Sequence, residues 1–287
     1  MEDRKDIAVG GALDNLANAG SGKTERHNGD FYANGLLYCG KCGLRKERYV
    51  KLFNGAEKKV RVMCACQEAA MLREKELERK RQEEQRLSTL RTNSMMDVRY
   101  NGVTFDGAII DDKNKEIIDL CRRYAERFDE FYKDNQGILM YGDVGTGKSY
   151  AAACIANHLL AKGTSVIMTS FVKILELIGK FDGTEADIMN RLTNARLVIF
   201  DDLGAERKTD YALEKVFDIV DSRYRYKKPM IFTTNLNAND MMREDDIRFK
   251  RIYDRIFEVC YPLEFTGGSW RKSSGEDKWA RMKGLGS

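Results

Sequence analysis

The chain has 287 residues, and 49 Lys and Arg stand against 45 Asp and Glu for a formal net charge of +4. That near balance excludes a dominant basic tail or an acidic solvating chain, and the length suits one medium domain plus a smaller appendage. No apolar run approaches membrane-spanning length, and the start, Met1-Glu2-Asp3-Arg4-Lys5, lacks a signal-peptide core, so the expectation is a cytoplasmic protein with no membrane partner.

In that compartment thiols stay reduced, and the seven cysteines read as ligands and core residues, not as disulfides. Near the start, Gly20-Ser21-Gly22-Lys23-Thr24 ends like a phosphate-binding loop. Ala17 stands where the first glycine belongs, and no apolar strand precedes it, so the segment reads as a flexible loop. Cys39-Gly40-Lys41-Cys42 and Cys64-Ala65-Cys66 then form a C-x-x-C … C-x-C set. Such spacing places paired thiolates on one tetrahedral ion, and four thiolates leave no open catalytic position, so a structural zinc held by Cys39, Cys42, Cys64 and Cys66 is expected. Reduced free thiols and a redox C-x-x-C are the alternatives, but the redox reading wants an adjoining βαβ unit. Between the pairs, Tyr49 to Gly55 and Lys59 to Met63 predict two hairpin strands turning at Asn54-Gly55, which makes the module a zinc ribbon. Its basic residues (Lys41, Arg45, Lys46, Arg48, Lys51, Lys58, Lys59, Arg61) suit either phosphate contacts or a solvated face.

Gln67 to Asn93 is rich in Glu, Lys, Arg and Gln with opposite charges at helical spacing, such as Glu76 with Lys80. It predicts a solvated helix without a sustained heptad, a spacer between modules. The expected organisation is a zinc-ribbon module over 1–66, a charged helical linker over 67–100 and a nucleotide domain over 101–287.

Ile138-Leu139-Met140-Tyr141 leads into Gly142-Asp143-Val144-Gly145-Thr146-Gly147-Lys148-Ser149, and a helical pattern follows over Tyr150–Leu160. A buried strand, a glycine loop with inward amides and a helix N-terminus, in that order, make a nucleoside triphosphate cradle. Lys148 would reach the β- and γ-phosphates, and the Ser149 hydroxyl would ligate Mg²⁺. Arg196 to Gly204 predicts a buried strand ending in Asp201 and Asp202: Asp201 as the Mg²⁺ residue, Asp202 as the base that polarises the lytic water. Pro229 to Leu236 predicts another strand, which would bring Asn235 to the γ-phosphate. Ser165–Thr169 and Val259–Leu263 supply two more, in a parallel sheet whose C-terminal strand ends line the ligand crevice.

Taken together, G-D-V-G-T-G-K-S, I-F-D-D-L-G-A-E, F-T-T-N-L, R-I-Y-D-R-I and Gly268-Ser269-Trp270-Arg271 resemble the AAA+ ATPases of the DnaC/DnaI helicase-loader family, especially phage and prophage members with an N-terminal zinc module. The resemblance covers roughly Phe105 to Arg271. It implies a doubly wound α/β AAA+ domain with ATP hydrolysed at subunit interfaces, self-association through that domain, and loading of a hexameric replicative helicase onto single-stranded DNA in replication. By the same likeness, Arg251 would reach the neighbouring subunit's γ-phosphate, with Arg255 as runner-up. The segment Ser170 to Arg191 would face DNA through Lys173 and Lys180 while Phe171, Ile174, Leu175 and Ile178 pack inward. AAA+ proteins usually carry Glu where Asp202 stands, and a later helical lid after Trp270 is not expected. Rival readings are an IstB-like transposition helper ATPase, a P-loop small-molecule kinase and a nucleotide-gated DNA-binding module with negligible hydrolysis. The zinc module and the G-S-W-R ending favour the loader.

Overall fold

The structure is a computed structural model that describes residues 27–180, 184–206 and 209–268. The chain divides into two compact units, one ending at Glu84 and the other beginning at Gln85. The Gly20–Thr24 loop and the Ser269–Arg271 end of the G-S-W-R motif lie outside the described residues.

The first unit starts with two hairpins. Strands β1 (Phe31–Ala33) and β2 (Leu36–Tyr38) pair around Asn34-Gly35, both at positive φ, the geometry that the Asn-Gly dipeptide favours in tight hairpins. Strands β3 (Glu47–Lys51) and β4 (Glu57–Arg61) form the expected second hairpin. Its five-residue loop closes with Leu52 and Ala56 bonded backbone to backbone and the Asn54 side chain accepting from the Ala56 N–H. A buried ion pair ties the unit together: Asp30 accepts from Lys46 Nζ at 2.5 Å and from the amides of His27 and Gly40. The Lys46 hydrogen bond is the main reason that the Asp30 carboxyl sits down at about 2. Gly40 is required here, because a Cβ would meet the Gly29 carbonyl oxygen at 2.0 Å.

Helix α1 (Ala65–Asn93) buries none of its residues, as its charge pattern implies. It begins two residues earlier than the composition suggests because the Gln67 side chain accepts from the Cys64 amide, one half of a capping box.

In the second unit, a 3-10 turn (Val98–Tyr100) precedes α2 (Lys115–Glu126), α3 (Phe128–Lys133), β5 (Gly137–Tyr141), α4 (Lys148–Ala161), β6 (Val166–Thr169), α5 (Phe171–Lys180), α6 (Thr184–Asn194), β7 (Leu197–Leu203), α7 (Asp210–Arg225), β8 (Met230–Thr234), α8 (Ala238–Met242), α9 (Ile247–Val259) and β9 (Cys260–Glu264). All neighbouring strand pairs in the order β6-β7-β8-β5-β9 are parallel. Strand residues alternate between two cores: Ile138, Met140 and Ile199 pack with α2 and α4, whereas Leu139, Val198 and Phe200 pack with α5, α7 and α9. A sheet with apolar cover on both faces needs continuous apolar runs, and residues 138–140, 166–168, 197–200 and 230–232 supply them. Phe171, Ile174 and Ile178 are buried as expected, Leu175 is only half-buried while Leu177 packs against the same core, and Phe171 stacks on Phe200 at 4.5 Å.

The segment after α1 runs beside edge strand β6, where the Met168 amide donates to the Ser94 carbonyl at 2.8 Å. From α5, Lys173 Nζ donates to the Met95 carbonyl, and from α6, Arg191 donates to that of Asn93. The Arg191 cation at the Asn93 carbonyl, the last of α1, suits the negative end of the helix dipole. Lys180, the companion candidate for DNA, has its side chain outside the described residues.

Arg223 on α7 is fully buried, and its guanidinium donates to the carbonyls of Leu192, Ala195, Arg196 and Pro229. Burial pushes its pKa down to about 9, so it stays charged at neutral pH. It joins the end of α6, the start of β7 and the entry to β8. Arg223→Leu, which strands these carbonyls, is expected to cost about 3 kcal/mol or more of unfolding free energy, read by urea denaturation; a loss under roughly 1 kcal/mol would mean that water replaces the guanidinium.

Candidate nucleotide and metal sites

The loop between β5 and α4 is built around two features. Gly142 has φ +132°, and a Cβ there would lie 2.3 Å from the Phe265 carbonyl oxygen, so only glycine lets the chain leave β5 past the end of β9. Gly147, at φ 99°, caps α4 and leaves the first amides of the helix without intrahelical partners, an arrangement that favours anions.

Lys148 is the first residue of α4 and is only 5% exposed. Its ammonium donates to the carbonyls of Gly142 at 2.8 Å and Asp143 at 2.7 Å, and to Asn235 Oδ1 at 2.9 Å. Loop and β8 end are thus joined by one cation. Around it lies a cavity of about 170 Å³ lined by Tyr100, Val144, Gly145, Gly147, Lys148, Ser149, Tyr150, Asp202 and Asn235. Larger hollows of about 760 and 530 Å³ lie near the end of α4 and by the N-terminal ends of β5 and β9, and neither contains a loop residue or a member of the acidic pair.

The acidic pair is shaped by β8. The Thr233 hydroxyl donates to Asp201 Oδ1 at 2.6 Å and accepts from the Asp202 amide at 2.9 Å. Between Phe200 and Leu203 the β7–β8 register shifts, and Asp202 adopts φ +58°, a left-handed conformation that Asp tolerates better than most residues. The bulge turns successive carboxylates in different directions: Asp202 lines the cavity, and Asp201 is held on Thr233 outside the lining. Together these groups offer a buried cation, helix amides, a hydroxyl and carboxylates around one small space, a donor set that fits a polyphosphate and a hard divalent ion.

Arg251 and Arg255 occupy successive turns of α9 in different surroundings. Arg255 is tied to Asp221 at 2.7 Å and lies over the ring of Phe217. Arg251 is exposed.

In the first unit, the sulfurs of Cys39, Cys42 and Cys66 all lie within 4.8 Å of one another. Cys64 is buried against Cys39 and Cys42, with its thiol pushed up mainly by burial. The Leu44 amide helps draw the Cys42 thiol down to about 6, while its hydrogen bond to Cys42 helps hold that of Cys66 at about 11. Neighbouring thiols thus help draw Cys42 down and push Cys66 up, and sulfurs gathered this closely make a donor set that fits a thiophilic metal. Cys66 sits in the first turn of α1, not in a second knuckle turn.

Sequence reasoning missed Tyr100 and Thr233. Tyr100 precedes the nucleotide motifs by forty positions and carries no pattern; Thr233 was visible in F-T-T-N-L, where a hydroxyl beside a strand-end acid is a signal.

A family model described as IstB-like ATP binding protein matches residues 70–277. The replicative helicase loader DnaC of Escherichia coli K12 is 31% identical over 140 residues, 47% of this chain and 55% of that protein. DnaI of Bacillus subtilis, also a replicative helicase loader, is 24% identical over 188 residues, 59% of this chain and 58% of that protein. The chain thus spans little more than half the length of these relatives. Among solved structures, that of DnaI superposes with a TM-score of 0.53 at 23% identity, over 62% of this chain and 98% of that one. The DnaC helicase loader gives 0.51 at 22%, over 59% and 100%. These likenesses establish the AAA+ fold of the second unit, and the family model, which spans most of the sequence, places this chain in the IstB-like ATP-binding protein family.

Proposed function

We propose that the protein is an ATPase that loads a hexameric replicative helicase onto single-stranded DNA. The observation that carries this reading is the cavity joining Lys148, Ser149, Asp202 and Asn235 in a chain whose curated relatives are helicase loaders. Gly142, Asp143, Val144, Gly145, Thr146 and Gly147 supply the loop, Lys148 and the α4 amides bind the β- and γ-phosphates, and Asn235 shares Lys148 with them. Ser149 and Asp201 would hold Mg²⁺, which would neutralise phosphate charge. Asp202 orients the attacking water. Arg251 serves the next subunit in a self-assembled ring or filament, because Arg255 is committed to Asp221. Cys39, Cys42, Cys64 and Cys66 would hold a structural zinc. The family name keeps an IstB-like transposition helper as the second reading. Capture of purified hexameric helicase, with and without ATP, decides: capture of a transposase instead overturns the loader.

Lys148→Ala removes the cation from the phosphates and is expected to abolish tight ATP binding in nucleotide titrations. Asp202→Asn is expected to bind ATP as wild type does while turnover falls about 10²-fold or more. Wild-type affinity in Lys148→Ala would mean that this loop is not the nucleotide site.

Arg251→Ala is expected to bind ATP normally and lose on the order of 10³-fold in hydrolysis. Mixing it with Lys148→Ala restores some activity, because one junction then pairs an intact Arg251 with an intact Lys148. Inactivity at every ratio, with co-assembly retained, would remove Arg251 from the neighbour's site.

Metal analysis is expected to find about one zinc per chain, mostly lost in Cys39→Ser/Cys42→Ser. Nucleotide binding persists in that variant and helicase capture fails. Unchanged zinc content would move the metal away from this cluster.

A further inference from the structure

We infer that the β3–β4 hairpin is a separate binding face for single-stranded nucleic acid, with Tyr49 and Phe53 stacking on bases and Lys51, Lys59 and Arg61 meeting phosphates. The case starts from two aromatic rings in water. Phe53 is fully exposed at the hairpin tip, and Tyr49 is 53% exposed in the middle of β3. Neither contributes to a core, and an exposed ring costs solvation that folding does not require.

Their neighbours are cations. Tyr49 lies directly across from Lys59 in the antiparallel register. Lys51 and Arg61, two positions along their strands, share its face, because side chains alternate along a strand. On that face Glu57 lies opposite Lys51, and Glu47 is turned inward, where it accepts from the Leu37 amide and pairs with Lys59 at 3.3 Å. Asp30, the remaining acid between residues 27 and 64, is buried on Lys46. Both buried acids are therefore spent on the unit's own structure, and the exposed charge of the hairpin is predominantly positive.

Flat rings among cations on a narrow ribbon match a strand whose bases are unstacked and whose phosphates run alongside. A base plane stacks on a ring whatever its sequence, and phosphates pair with Lys and Arg by charge alone, so the face is sequence-tolerant. A duplex hides its base planes and is the poorer fit. The site belongs to the first unit and does not depend on nucleotide bound to the second.

The test uses the full chain without nucleotide, with labelled oligo(dT) and oligo(rU) followed by anisotropy. Tyr49→Ala/Phe53→Ala is expected to weaken binding about tenfold or more. Lys51→Ala/Arg61→Ala is expected to flatten the dependence of log affinity on log salt by roughly one and a half. Tyr49→Trp keeps a stacking plane, so affinity is retained and the added indole fluorescence is quenched by either oligonucleotide but not by inorganic polyphosphate. Similar affinity for the two oligonucleotides assigns the face to single strands in general; preference for one assigns it to DNA or RNA. Unchanged affinity in Tyr49→Ala/Phe53→Ala overturns the inference, as does indole fluorescence in Tyr49→Trp that neither oligonucleotide quenches. Loss of helicase capture with unchanged oligonucleotide affinity also overturns it and makes the hairpin a protein-docking surface. Helicase capture and ATP turnover score the loader reading separately, so the hairpin can fail while that reading stands.

Discussion

One buried ammonium organises the second unit. Lys148 has three protons to donate, and three oxygens receive them at 2.7–2.9 Å. An unpartnered buried ammonium would cost several kcal/mol, so the loop's carbonyls and Asn235 must be in place when the domain folds. The glycine loop is thereby held open in a shape ready for phosphate, and the ends of β5 and β8 are locked in mutual position. A phosphate entering the cavity would meet a cation held by the carbonyls of Gly142 and Asp143 and by Asn235 Oδ1. Exchange of these dipoles for a charged oxygen strengthens the interaction without moving the helix. Asn235 is the partner best placed to report that exchange, since it is held by Lys148 from another strand.

Where local chemistry decides structure, the sequence is readable. Continuous apolar runs at Ile138–Tyr141 and Leu197–Phe200 become strands covered on both faces, and Asn54-Gly55 becomes a turn. The same rule applied to Asn34-Gly35 would have found β1 and β2, which are too short to display any alternation of their own. The start of α1 depends on a side chain returning to the Cys64 amide, a contact that composition does not contain. Arg223 reads as a surface cation on a helix, yet it is fully buried, because the carbonyls that receive it come from three other segments.

The candidate site divides along the same line. Lys148, Ser149, Asp202 and Asn235 come together because each lies at or next to the C-terminal end of a strand or the start of α4, a place that motif order predicts. Spacing alone left Arg251 and Arg255 equivalent. Asp221 and Phe217 on α7 separate them, since a guanidinium with a carboxylate partner and a ring beneath it is anchored to its own subunit. Tyr100 lines the cavity from the far side of the domain's entry segment, a relation set by tertiary packing. Asp201 and Asp202, adjacent in sequence, face different ways because of one bulge.

The Ser94 carbonyl has a consequence beyond anchoring. Strand β6 ends the sheet, and an end strand presents unpaired amides that another chain can adopt as a template. By accepting from the Met168 amide, the segment that follows α1 occupies part of that edge with a stretch too irregular to propagate pairing. Protein shortened to begin after this segment would keep its sheet and its cavity but offer a bare edge, so its failure in solution would be self-pairing of native domains before any unfolding. The stretch that tethers the first unit thus also serves as the solubility cap of the second.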